Sequence, residues 1–303
     1  MASGVATSAQ IGVDTLLNVQ NIAGSTANDT FVASANNVSN QFDGGVGTDT
    51  IDFSALVSAL NIQGFNSVNN TFQSVTGSGA TAATSDQIRH IENVIGGQGG
   101  NIITVNDNVA HLFTGGAGID QFTFGAGNDT VIATVDNVRD VYNGGNGTNT
   151  ADYSAYVANL SVNLGTGGGS VVGSSGSTAA NSDTLVNFQN FRGGSGNDAI
   201  TGSDANNVLE GGRGDDILVG GRGADSFVFD VTFGRDHIAD FVAAGTGHDL
   251  IDLSAALGVS TAAQALAAAH DVGGHAQLTF GTNTIDLDGV RSNQLIADDF
   301  RIH

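Results

Sequence analysis

The chain has 303 residues and a formal net charge of −22, with 30 acids against eight basic residues, all of them scattered arginines. That balance argues against nucleic acid and anionic membrane surfaces as partners, and the lack of cysteine excludes disulfides and thiol catalysis. All acids but Glu92 and Glu210 are aspartate, the short-chained kind that favours turns, so the charge has the character of ligand chemistry for divalent cations.

Residues 1–192 carry a long, degenerate repeat. Gly47-Thr-Asp-Thr-Ile-Asp-Phe-Ser-Ala55 recurs 100 residues later as Gly147-Thr-Asn-Thr-Ala-Asp-Tyr-Ser-Ala155, and again as Gly247-His-Asp-Leu-Ile-Asp-Leu-Ser-Ala255. A second theme precedes the glycine turns: Asp14 to Gly24, Asp86 to Gly96 and Asp183 to Gly193, with Asn21, Asn93 and Asn190 in equivalent places. Its alternating apolar residues predict short strands, and the recurring asparagine predicts an amide ladder between stacked coils. Isolated glycine turns ending in an acid occur at 44–49, 115–120 and 124–129 and contribute Asp49, Asp120 and Asp129; in the related turns Asn101 and Asn149 replace the acid. The stretches 63–84 and 165–181 are the loosest and are expected to be loops projecting from a solenoid. Because residues 3–24 match only the final third of the larger unit, the chain is expected to be the C-terminal portion of a longer repetitive protein.

Residues 193–228 contain one nine-residue unit four times in unbroken register: GGSGNDAIT, GSDANNVLE, GGRGDDILV and GGRGADSFV. Glycines allow a turn over the first six residues, and the last three, with one apolar side chain at position eight, suit a very short strand. Two units make one coil, so unit n stacks on unit n+2. Asp198 then lies over Asp216, and Asn207 over Asp225. Bare carboxylates at the strand spacing of about 4.8 Å repel by roughly 3 to 4 kcal/mol at an effective dielectric of 20. A cation between them reverses the sign. Calcium fits best, because it takes six to eight oxygens from carboxylates and carbonyls, whereas nitrogen and sulfur ligands for zinc or copper are missing from these turns.

The pattern G-G-x-G-x-D-x-U-x resembles the calcium-binding repeats-in-toxin family, whose nonapeptides form a parallel β-roll with calcium between stacked turns. The resemblance implies an all-β fold, a parallel β-roll or β-solenoid. It makes candidate ligands of Asp198, Asn207, Asp216 and Asp225, with turn carbonyls from Gly194, Gly196, Gly212, Gly214, Gly221 and Gly223. Asp49, Asp120 and Asp129 join them through the isolated turns. The unit beginning at Gly202 departs from the pattern, with Asn207 in place of the acid and Asp204 and Ala205 in place of nearby glycines.

Residues 229–303 are expected to cap the roll. By resemblance to the same family and to the C-terminal part of serralysin-like proteases, Asp236, Asp240 and Asp249 are candidate ligands for further calcium. A helix is predicted over 261–270, opened by Thr261 and Gln264 at capping-box spacing and closed by Gly273-Gly274. Two strands, 276–280 and 283–287, should follow. The closing stretch 295–302, with aspartates before an apolar end, resembles an uncleaved signal read by type I secretion machinery. No basic and apolar N-terminal leader pattern and no transmembrane run is present.

No zinc-protease, serine-hydrolase or phosphate-loop motif occurs, and the Asp-Ser pairs around Asp52, Asp152 and Asp252 are expected to be turn or capping residues. The sequence thus predicts three regions: coils over 1–192, a calcium-binding roll over 193–228 and a cap over 229–303. Its expected role is that of a secreted, non-enzymatic calcium-binding structural module, the end of a surface-layer, adhesin or matrix protein. Self-association or a cell-surface polysaccharide would supply its contacts. The alternative is the non-catalytic tail of an extracellular protease, lipase or alginate epimerase.

Overall fold

The computed structural model describes residues 5–7, 20–33, 39–77, 85–136, 138–165, 169–173, 182–243, 245 and 247–303. The chain divides into two compact units, Met1–Asn149 and Thr150–His303. Both are parallel β-rolls, because the sequence alternates glycine turns with strands too short to pair with anything but the next coil.

In the first unit one sheet runs Thr30–Val32, Thr50–Asp52, Asn93–Ile95, Leu112–Thr114, Thr130–Ile132, and another Asn61–Phe65, Ile102–Val105, Gln121–Thr123, Val141–Asn143. The described pairings within these sheets are parallel, and Leu112 faces Thr130, two nonapeptides on. A third sheet holds Val5–Thr7, Asn21–Ala23, Gln41–Asp43, Asp86–Arg89 and Gln73–Val75.

In the second unit the strands Thr150–Asp152, Asn190–Arg192, Val208–Glu210, Ser226–Phe229, Leu250–Leu253 and Phe300–Ile302 pair in parallel, in that order. The opposite strands Leu160–Asn163, Ala199–Ser203, Ile217–Gly221, Arg235–Ile238 and Asn283–Leu287 also pair in parallel. Every position-eight residue, Ile200, Leu209, Leu218 and Phe227, is fully buried. Each such side chain contributes about 1.5–3 kcal/mol of burial. The long repeat is equally structural, since Phe53, Tyr153 and Leu253 occupy equivalent, buried places in their own coils.

Four expectations are corrected. The loose stretches are partly strand. Gln73–Val75 pairs antiparallel with Asp86–Arg89, and Gly169–Gly173 lies antiparallel between Leu160–Asn163 and Asp183–Val186; residues 78–84, 166–168 and 174–181 lie outside the described residues. Composition hid these strands, because a hairpin against a sheet edge needs few apolar side chains.

The helix spans Ala262–Ala267, with Thr261 accepting from the Gln264 backbone, and the Gln264 side chain accepting from the Ser260 backbone. Ala269–Val272 pairs instead with His275–Phe280 across Gly273-Gly274, both at positive φ as a two-residue hairpin turn demands. A sheet edge thus outcompetes the last turn of an alanine helix. The helix packs on the terminal strand Phe300–Ile302, which follows a 3-10 turn at Ala297–Asp299.

The recurring asparagines do not stack on one another. Asn93 donates to the Thr50 hydroxyl at 3.3 Å and Asn190 to that of Thr150 at 3.3 Å, because the register places threonine, not asparagine, on the preceding coil. Each amide oxygen then accepts the backbone N–H of the next coil, from Leu112 and Val208 respectively. Finally, Asp52 and Asp152 close turns onto the N–H of Ser54 and Ser154, but Asp252 instead binds Arg301 and His303 of the last strand and terminus. Burial opposes its charge, yet those two cations hold its carboxyl below the usual range.

Candidate metal centre

The nonapeptide turns are held at backbone separation. Gly212 and Gly214 have φ of +99° and +127°, and a methyl group on Gly212 would fall on the carbonyl oxygen of Gly194 in the preceding coil. That oxygen accepts the Arg213 N–H at 2.8 Å. Gly212→Ala combines left-handed strain with a backbone clash. It is expected to lower stability in calcium by about 2 kcal/mol or more, read as a lower urea midpoint.

The residue at position six closes each coil onto its predecessor. Oδ1 of Asp216 accepts the Asp198 N–H at 2.7 Å, and Oδ1 of Asp236 accepts the Asp216 N–H at 3.0 Å. Asp198 in turn accepts from Leu160 N–H at 2.8 Å. On the opposite edge Asp225 accepts from Asn207 at 2.8 Å and Asp249 from Asp225 at 2.9 Å. Position five works in the other direction: Asn197 accepts from Asp215 and Asp215 from Arg235, each in the following coil.

These bonds engage one carboxylate oxygen and leave the second in question. Oδ2 of Asp216, Asp225 and Asp236 is buried with no hydrogen-bond partner. Burial pushes the carboxyl of Asp236 up to about 8, with Asp216, Asp215 and Asp198 adding repulsion. It raises Asp216 to about 7, and Asp198 and Asp225 to about 6. A buried, unpartnered carboxylate oxygen costs free energy that a cation removes. The donor set is oxygen alone and suits calcium. Among the described residues no three acids or histidines converge as a ready-made metal cluster, so an ion there would take carboxylate oxygens together with turn carbonyls.

The remaining candidates differ. Both oxygens of Asp249 accept backbone N–H groups, from Asp225 and Val242. Asp240 stands in neither column and clamps the N–H groups of Gly220 and Gly221. The amide of Asn207 is used by the protein, accepting from Ser203 and donating to the Gln189 carbonyl. Asp49 and Asp129 keep an unpartnered buried Oδ2, and burial, then Glu92 and Asp29, lifts the Asp49 carboxyl to about 6. Asp120 has partners on both oxygens, from Asn101 and Gly116.

Several position-six residues escape the glycine pattern. Asp140 accepts from Asp120 N–H at 2.8 Å, and Glu92 from Asp49 N–H at 2.8 Å. His111 fills the same place before Phe113, buried between the Asp107 carboxylate at 2.8 Å and the Glu92 carbonyl at 2.8 Å. The signal that finds Asp140 and Glu92 is an acid two residues before a buried apolar residue, with no glycine required upstream; His111 does not carry it.

A parallel β-roll whose coils are joined by buried position-six carboxylates is thus the class of structure. The family model for the RTX calcium-binding nonapeptide repeat, four copies, matches residues 112–134 and 192–227. The chain therefore carries RTX calcium-binding repeats. No curated protein matches it. Among solved structures, the extracellular lipase LipA from Serratia marcescens is similar at 17% identity, over 88% of this chain and 45% of that chain, with a TM-score of 0.34. This chain thus spans under half of the lipase's length, and the likeness is too slight to carry an argument.

Proposed function

We propose that this chain is a secreted structural module that folds as it binds calcium, and that it forms the C-terminal part of a larger surface-layer, adhesin or matrix protein. The observation that carries the reading is the column Asp198, Asp216 and Asp236: three buried acids in successive coils, two with an unpartnered oxygen. Asp216 and Asp236 would hold calcium, with Asp198 and carbonyls of Gly194, Gly196, Gly212 and Gly214 beside them. Asp225 and the carbonyls of Gly221 and Gly223 would serve the opposite edge. Bound calcium supplies the positive charge that lets these carboxylates stack.

The residues themselves set the switch. Where calcium is scarce, burial of the column is opposed by repulsion and the roll built on it stays expanded; where it is millimolar, its coils close. An expanded chain suits passage through type I secretion machinery, and the closed roll suits a surface role through self-association or a cell-surface polysaccharide. Far-ultraviolet circular dichroism during a calcium titration tests this. A coil-to-β transition, moved to at least tenfold higher calcium by Asp198→Ala with Asp216→Ala, is expected. A spectrum folded in chelator and indifferent to calcium would overturn the reading.

A further inference from the structure

We infer that Tyr142 and Tyr153 take the place of a metal ion, closing their coils with a phenol hydroxyl so that those coils need no calcium. The inference deepens the proposed function, since it states which carboxylates of the roll do not depend on the ion.

Tyr142 and Tyr153 are fully buried. In the first unit the Tyr142 hydroxyl donates to Oδ2 of Asp140 at 2.9 Å, while Oδ1 of Asp140 accepts the Asp120 N–H at 2.8 Å. Asp120 is saturated as well, with Oδ1 accepting from the Asn101 backbone and amide at 2.7 Å each and Oδ2 accepting from Gly116 N–H at 2.8 Å. All four carboxylate oxygens on this edge therefore have protein donors, although Asp120 ends a glycine turn of the calcium-binding type. In the second unit the Tyr153 hydroxyl donates to Oδ2 of the buried Asp183 at 2.7 Å. The contrast is Asp216 and Asp236, whose position-eight neighbours Leu218 and Ile238 carry no hydroxyl and whose Oδ2 atoms are unpartnered.

The long repeat supplies an internal control. One hundred residues before Asp140-Val-Tyr142 stands Asn40-Gln-Phe42. Between these two copies the acid goes with a hydroxyl at the apolar position, and the amide goes with phenylalanine. Asn40 meets its neighbour Asp86 directly, donating its side-chain N–H to Oδ1 at 2.8 Å. In the first two copies a hydroxyl or amide donor thus accompanies the buried acid, whereas in the third, Asp240-Phe-Val242, the acid takes the backbone N–H groups of Gly220 and Gly221 instead.

Hydrogen exchange read by mass spectrometry on the full chain, in chelator and in calcium, tests the inference. Peptides spanning 120–123 and 140–143 are expected to stay protected in chelator while those spanning 198–221 exchange freely. Tyr142→Phe is expected to speed exchange of the 120–143 region in chelator on the order of tenfold or more, the loss of one buried bond to a charged group. Adding Asp140→Asn to it recreates the Asn40 and Phe42 pair and should restore protection, which a general failure to fold would not. If the 120–143 peptides become protected only with calcium, alongside 198–221, the tyrosines do not replace the ion and the inference falls while the proposed function stands. If 198–221 is protected in chelator, the proposed function falls, and the inference is then judged by Tyr142→Phe, whose failure to weaken 120–143 would overturn it.

Discussion

Asparagine at both Asp216 and Asp236 is expected to stabilise the chain in chelator and to remove most of the stabilisation that calcium gives. Asparagine keeps Oδ1, so the bonds from the N–H groups of Asp198 and Asp216 survive. What it removes is the buried charge behind the unpartnered Oδ2 atoms. Replacing even a paired buried charge with neutral, well-packed residues can gain about 1–4 kcal/mol, and an unpaired one has less to lose. Asn207 shows that an amide fits the position, since it accepts from Ser203 N–H and donates to the Gln189 carbonyl. Thermal melts with and without calcium measure both effects. A double variant less stable than the parent in chelator would mean that the acids are structural in their charged form.

The second large effect is the pH dependence of the calcium-free chain. Asp198, Asp216 and Asp236 have carboxyls raised from 3.8 to about 6, 7 and 8, so between those limits the folded chain holds protons that the unfolded chain has released. Their contribution to stability is fully present below about pH 4 and is lost as pH rises through 6 to 8. In chelator the melting temperature should therefore fall from about pH 4 to pH 8, most steeply below 6, where all three carboxyls are protonated in the fold and ionised in the unfolded chain, and should level off above 8. Calcium competes with those protons, so its apparent affinity should rise over the same interval. Melts at fixed ionic strength across the range, paired with calcium titrations, check both signs. Stability that climbs with pH in chelator would show that these acids are already charged and satisfied in the fold.

The sequence made much of this legible because the nonapeptide period constrains every level at once. Glycine at positions two and four marks the positive-φ turn, as Gly212 and Gly214 show, and position eight marks the core, as Leu218 and Phe227 show. Stacking of unit n on unit n+2 follows from two strands per coil, and the register of Ala199 with Ile217 confirms it.

What stayed hidden has a common cause. Asp140, Glu92 and His111 occupy position six without the glycine turn, because a coil can be closed there by turns of other lengths. The tyrosine hydroxyls that meet Asp140 and Asp183 lie inside the roll, at positions that read as ordinary core in a linear sequence. The strand Gln73–Val75 is defined by the edge it joins, not by its own composition.

The measurement closest to the central claim is anomalous X-ray scattering from crystals of the chain grown in calcium. Calcium density within about 2.3–2.6 Å of Oδ2 of Asp216 and Asp236, and none beside Asp120 and Asp140, is the predicted result. Crystals of the same roll with no calcium at Asp216 or Asp236 would contradict the account, leaving these acids as structural links between coils and nothing more.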